Sequence, residues 1–255
     1  MPISAILMQV IPIKISADIR IRDELGPLIL DAVTQSGQVI LDGDILVVAH
    51  KIISKAEGRI VDLRRIKPSK KAAKLGKEHR KDPRLVEIIL RESKQILRAR
   101  SEIIISETRY GFVCANAGVD QSNTPGKQHA ILLPLNPDRS ARLLCDSLAK
   151  ITGKKIAVII TDTFGRPFRN GQVNVALGST GLKPIKSYVG AKDMYGRTLR
   201  VTEIAVADEI ASAAELVMGK IERVPAAIVR GYRFEQSSTS TARSLMRPKK
   251  EDFFR

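Results

Sequence analysis

The segment Ile159-Ile160-Thr161-Asp162-Thr163-Phe164-Gly165-Arg166 takes an apolar run straight into a carboxylate, a hydroxyl, a glycine and an arginine. Lys155 to Ile160 reads as a buried strand. Asp162 and Thr163 then fall at its carboxyl end, where open α/β sheets hold their ligands. Side by side, the two offer hard oxygen ligands to Mg²⁺ or Mn²⁺, and Arg166 and Arg169 are placed to neutralise phosphate oxygens beyond them. An ordinary Asp-Thr turn is the competing reading, because both residues are common in turns.

A chain of 255 residues with 44% hydrophobic content can bury a real core, and no apolar run approaches the ~18 residues of a membrane span. Met1 to Gln9 lacks the basic start of a signal peptide, so a cytoplasmic protein is expected. Cys114 and Cys145 have no metal or redox spacing, and both are expected to be buried. The formal charge of +16 is uneven: Arg64 to Arg84 holds ten Lys or Arg against Glu78 and Asp82. That run has no interleaved aromatics, which makes nucleic acid an unlikely partner for base stacking. A solvated basic face, steering of a polyanionic small substrate and weak non-specific nucleic-acid binding remain as readings.

Asp42-Gly43-Asp44 signals a turn into a strand over Ile45 to Ala49, which delivers His50, Lys51 and Lys55 to its far end. Asp82-Pro83 predicts a helix start, and Leu85, Val86, Ile89, Leu90, Ser93, Ile96 and Leu97 continue at helical spacing. Glu102 to Ser106 and Gly111 to Ala115 predict a hairpin about Thr108-Arg109-Tyr110. Pro137 opens a second helix that Gly153 ends, an Ala-rich third helix runs from about Val206 to Met218, and Pro225 to Arg230 reads as a strand. The Gln236 to Thr241 tail is expected to be loose, with Phe253 and Phe254 available to dock on the body. Hairpins combined with helix-strand units predict an α+β or mixed α/β fold.

P-loop, dinucleotide and guanine-reading fingerprints are absent, so a nucleotide must be held another way. Zinc-hydrolase spacing and a serine elbow are absent too, and His50, His79 and His129 are scattered. What remains is a set of polar residues at strand ends: Asp120 and Asn123 in one loop, Asp162 and Thr163 in another, with Lys51 and Lys55 available opposite. Such a set suits phosphoryl transfer, in which the protein mainly positions phosphates and neutralises charge.

Five segments in order, His50-Lys51-Ile52-Ile53-Ser54-Lys55-Ala56-Glu57-Gly58-Arg59, Asn116 to Asn123, Asp162-Thr163-Phe164-Gly165-Arg166, Lys192-Asp193-Met194-Tyr195-Gly196-Arg197 and Ala207-Asp208-Glu209-Ile210-Ala211, resemble the coenzyme F(420):L-glutamate ligases. The likeness runs from about Val10 to Arg230. It implies a ligase-specific mixed α/β fold that is neither P-loop nor Rossmann. A single ligase domain over residues 1–255 is expected, with room for two lobes and no fused nitroreductase-like domain. The implied activity is GTP-dependent addition of L-glutamate, through γ-linked amides and an acyl phosphate, to a deazaflavin coenzyme precursor. Two Mg²⁺ or Mn²⁺ ions, K⁺ and a homodimer are implied as well. The alternatives are a same-fold ligase with another carboxylate acceptor and a basic nucleic-acid-binding protein.

Carried onto this sequence, the family's metal ligands fall on Asp120, Asp162 and Thr163. Its GTP contacts fall on Ile11, Pro12, Ile13, Lys14, His50, Lys51, Lys55 and Asn123, and on the loop after Met218-Gly219. One position departs: Lys220 stands where the family commonly has an acidic or amide metal ligand. Glu222 is the expected replacement ligand, and the alternative is that the Lys220 charge does part of one metal's work.

Overall fold

The computed structural model describes residues 7–253. Strand β1 (Gln9–Ile13) leads through helix α1 (Leu25–Gln35) to β2 (Ile45–Ala49), whose ILVVA run is buried on both faces. The turn before β2 uses Gly43 at φ 82°, a left-handed conformation that glycine adopts without a Cβ penalty. Helix α2 (His50–Ala56) starts with no intervening loop, so His50, Lys51 and Lys55 ride on a helix.

An excursion follows: β3 (Ile60–Asp62), α3 (Lys70–Glu78), α4 (Pro83–Glu92), β4 (Ser93–Arg100), β5 (Ile103–Thr108), β6 (Val113–Ala115) and β7 (His129–Ile131). It carries its own apolar cluster, which includes Leu63, Val86, Ile89, Ile104 and Ala130. The Asp82 side chain caps α4 by accepting from the Arg84 N–H, as predicted. The predicted continuation of that helix through Leu97 is wrong. Ser93 turns extended and its hydroxyl donates to the Ile89 carbonyl, after which β4 pairs with the isoleucine-rich β5. Pairing still packs Ile96 against the same cluster, so tertiary context overrides the local helical period. The predicted hairpin forms between β5 and β6.

Asn136 caps helix α5 (Pro137–Thr152) and left-handed Gly153 ends it. Strands β8 (Ala157–Arg166) and β9 (Arg169–Leu182) form a long hairpin, followed by the ribbon β10 (Lys186–Ser187) with β11 (Glu203–Ile204). Helix α6 (Val206–Met218), β12 (Ala226–Arg230) and β13 (Gln236–Ser237) complete the fold. The central sheet has the order β1-β12-β2-β8-β9-β13, in which only β2 and β8 pair in parallel. Alternation along its middle strands sorts the core. Leu46, Val48, Val158 and Ile160 pack with Ile29 and Leu148 on one face, while Val47 and Ile159 pack with Ala207, Ile210 and Ala211 on the other. The chain is thus an α+β protein with a mixed sheet covered on both faces.

The tail is held in place where a loose one was expected: β13 pairs with β9, Arg142 donates to the Ser238 carbonyl, and the Ala242 N–H donates to the buried Asp138 carboxylate. Phe253 is exposed and undocked, and Phe254 lies outside the described residues. Cys114 is buried but Cys145 only partly so. Lys70, Lys71, Lys74 and Lys77 project from α3 into solvent, so this part of the basic run is a solvated face.

Candidate active site

The strand expected to stop near Ile160 continues to Arg166, and this positions the site. Its parallel partner β2 ends where Ala49 pairs with Thr161, because the chain there turns into α2. From Asp162 onward β8 is paired only to β9, and its other edge is open. A cavity of about 900 Å³ forms at this edge, walled by the start of α2, the 114–125 segment, β8, β9 and the 218–225 loop.

Asp162 and Thr163 are neighbours in sequence but face opposite sides of the strand. Asp162 turns toward α2, where its Oδ1 lies 3.4 Å from Nε2 of the buried His50. The alignment is too poor for a hydrogen bond, and that nitrogen is left without a partner. His50 Nδ1 is fixed by Ser54 Oγ at 3.3 Å. Thr163 turns toward α6. Its hydroxyl donates to Asn174 Oδ1 at 2.7 Å and accepts from Lys220 Nζ at 2.6 Å. The pair therefore stands at two separate places on the cavity wall.

On the third wall Lys51 Nζ sits 2.6 Å from Asp120 Oδ2 and donates to Ser122 Oγ at 2.5 Å. Burial pushes the Asp120 carboxyl up, but hydrogen bonds from Lys51 and Ser122 together outweigh it and hold the group below the usual carboxylate range. Lys55 also lines the cavity. Burial lowers its pKa, Asp18 works against that shift, and Lys51 and Arg223 add to it. Asn123 lines the mouth at φ 56°, a left-handed conformation that asparagine tolerates better than most residues. Cys114 borders the cavity as well, its thiol pushed up to about 12 by burial and by the Asp162 charge, so it is no nucleophile at neutral pH.

Other expected residues stand elsewhere. Ile11 and Ile13 are built into β1 and pack into the core, and Ile11, Pro12, Ile13 and Lys14 all lie outside the cavity lining, which begins at Ile15. Arg166 and Arg169 close the β8–β9 hairpin away from the cavity, with Arg166 donating to the Asn170 carbonyl. Glu222 is exposed and accepts from the neighbouring Ile221 N–H, so it does not reach the cavity as the expected replacement ligand. Glu215 and Asn174 were missed. Asn174 is 3% exposed, and a buried amide needs partners, which is the signal that sequence reading could have followed.

A divalent cation fits one of the two places. The Asp162 carboxylate, which makes no aligned hydrogen bond with the unpartnered His50 nitrogen, is a hard donor facing the cavity, whereas Asp120 on the adjoining wall is already paired with Lys51 Nζ at 2.6 Å, which a cation shared with Asp120 must displace. No cluster of three or more His, Cys, Asp or Glu suited to a metal exists among the described residues. Water or ligand oxygens must complete the shell, as is usual for Mg²⁺. At Thr163 the fit fails: the Lys220 ammonium already sits on the hydroxyl and pairs with Glu215 Oε1 at 2.7 Å.

Comparison with known proteins gives this geometry its context. Residues 13–231 match the family described as F420-0:gamma-glutamyl ligase. The chain belongs to that family. It is 50% identical over 235 residues to the coenzyme F420:L-glutamate ligase of Methanothermobacter thermautotrophicus, covering 91% of this chain and 93% of the relative. The same-named protein of Methanopyrus kandleri is 44% identical over 254 residues, covering 97% and 98%. That of Methanocaldococcus jannaschii is 46% identical over 217 residues, covering 85% and 86%. The chain is therefore a ligase, as the five motifs implied, and the matched region contains the whole cavity. No helix among the described residues is long and apolar enough to cross a membrane.

Proposed function

We propose that this ligase joins L-glutamate, through γ-linked amide bonds, to a deazaflavin coenzyme F420 precursor, with GTP as the activating co-substrate. The observation that carries the reading is the 44–50% identity, over nearly the full length, to proteins named coenzyme F420:L-glutamate ligase. The cavity supports it. A carboxylate is a poor electrophile, so its oxygen first attacks the γ-phosphorus and expels GDP. The glutamate amine then attacks the acyl carbon, the C–O bond to phosphate breaks, and the amine loses its proton.

The chain's own residues handle charge and position. Lys51, Lys55 and Arg223 face the cavity as cations for phosphate and carboxylate oxygens, and His50 is held at the foot of Asp162. Asp162 and Asp120 would hold Mg²⁺ or Mn²⁺, which supplies Lewis-acid neutralisation of phosphate charge when bound. K⁺ belongs to the proposal as well. A cytoplasmic location belongs to the proposal too, from the sequence expectation above. A homodimer is supported by the exposed Met194, Tyr195 and Val201 on the connection between β10 and β11, at 87%, 80% and 86% accessibility.

Release of GDP that requires both glutamate and the precursor, with a product heavier by one glutamyl residue in mass spectrometry, tests the reading. GDP release with glutamate and a different carboxylate acceptor only would transfer the activity to that acceptor. Salt-sensitive nucleic-acid binding without GTP turnover would favour the exposed basic face of α3 as the functional surface.

A further inference from the structure

Thr163, Asn174, Glu215 and Lys220 form a closed ring of polar contacts on the α6 side of the cavity. Thr163 donates to Asn174 Oδ1 at 2.7 Å, Asn174 Nδ2 donates to Glu215 Oε2 at 2.8 Å, Glu215 Oε1 pairs with Lys220 Nζ at 2.7 Å, and Lys220 donates back to Thr163 Oγ1 at 2.6 Å. The direction of each bond matters. Because the Thr163 proton is committed to Asn174, the hydroxyl presents its lone pairs to whatever cation stands opposite. Both oxygens of Glu215 are engaged, which fixes the carboxylate toward the same point. Two oxygens thus converge on a cation, and the cation is the chain's own ammonium.

We propose that Lys220 is a tethered cation that takes the place of one divalent ion, so that a single divalent ion per chain, on the Asp162 side, serves the reaction. The inference rests on the nucleotide-binding reading above. An ammonium has three N–H donors, and Thr163 and Glu215 take two. The third is left for a phosphate oxygen of the ligand in the cavity that Lys220 lines. A divalent ion at Thr163 meets a like charge, and it must compete with a cation that is always present because it is covalently attached. Gly219, at φ 59° and ψ −164°, shapes the loop that delivers Lys220.

The test counts Mn²⁺ ions on the full chain by the electron paramagnetic resonance signal of free Mn²⁺, with and without a non-hydrolysable GTP analogue. One ion per wild-type chain is expected, and one more in Lys220→Glu, where an acidic pair with Glu215 replaces the ammonium. Lys220→Gln should weaken GTP-analogue affinity at least about tenfold at low Mn²⁺, with recovery as Mn²⁺ is raised, since one charged hydrogen bond accounts for that much. Two ions on the wild type, or equal counts in wild type and Lys220→Glu, overturn the proposal. Circular dichroism establishes that the variants fold, and Lys220→Gln keeps the test open should Lys220→Glu fail to. Failure of the wild type to bind the GTP analogue overturns the nucleotide reading instead, and the count without nucleotide still decides the ion number.

Discussion

His50 Nε2 lies 3.4 Å from Asp162 Oδ1, yet the two form no aligned hydrogen bond, and the nitrogen is buried without a partner. A carboxylate with so few structural ties contributes little to folding. Asp162→Ala should therefore lower GTP turnover by at least about 100-fold, in keeping with the loss of a group that organises transition-state charge, while its melting temperature stays within a few degrees of wild type. Near-normal turnover by the folded variant would remove Asp162 from the site.

Asp120 carries a pH signature. Its carboxyl is held below the usual range in the folded chain, so its contribution to stability is complete above the unfolded carboxylate pKa of ~4 and is lost as pH falls through the depressed value. Urea unfolding of wild type and Asp120→Asn across pH should show a stability difference that is flat from about pH 5 to 8 and shrinks below about pH 4. A difference that grows on acidification would mean that the Lys51 pair does not hold in solution.

The lysines of α3 are outside the cavity wall and solvated. Neutralising Lys70, Lys71, Lys74 and Lys77 together should flatten the salt dependence of kcat/KM and leave kcat within about twofold, because surface charge acts on encounter. Loss of kcat with unchanged capture would place this helix against the substrate.

Gly219 sits at φ 59° and ψ −164°, in a region open essentially to glycine alone. Gly219→Ala is expected to cost about 1–3 kcal/mol in urea unfolding and to displace the Lys220 loop. A variant as stable as wild type would show that the loop relaxes freely.

Much of the scaffold could be read from residues whose message is local. The Asp82 cap, Gly153 ending α5, the apolar run of β2 and the Ala-rich α6 each depend on neighbours a few positions away. Ser93 to Arg100 and the Gln236–Ser237 strand were misread because their conformation is decided by β5 and β9, partners that local periodicity cannot reveal. The site divides in the same way. His50, Lys51 and Asp162 were singled out as polar residues at apolar run ends and Asp120 as a loop carboxylate, whereas Asn174 and Glu215 come to notice only through a ring whose members stand 41 positions apart. Glu222 was preferred over Lys220 on chemical type, whereas the loop turns Glu222 onto its own backbone and sets Lys220 against Thr163, a placement that residue type alone does not show.

The direct passage from β2 into α2 leaves no residue between sheet and helix to absorb a change in length. A helix advances about 100° per residue, so one residue inserted after Ala49 would swing His50, Lys51 and Lys55 by more than a quarter turn around the helix axis. The three side chains are geared to the sheet as one unit. Any change of length at this junction therefore displaces all three side chains together from the cavity wall they line.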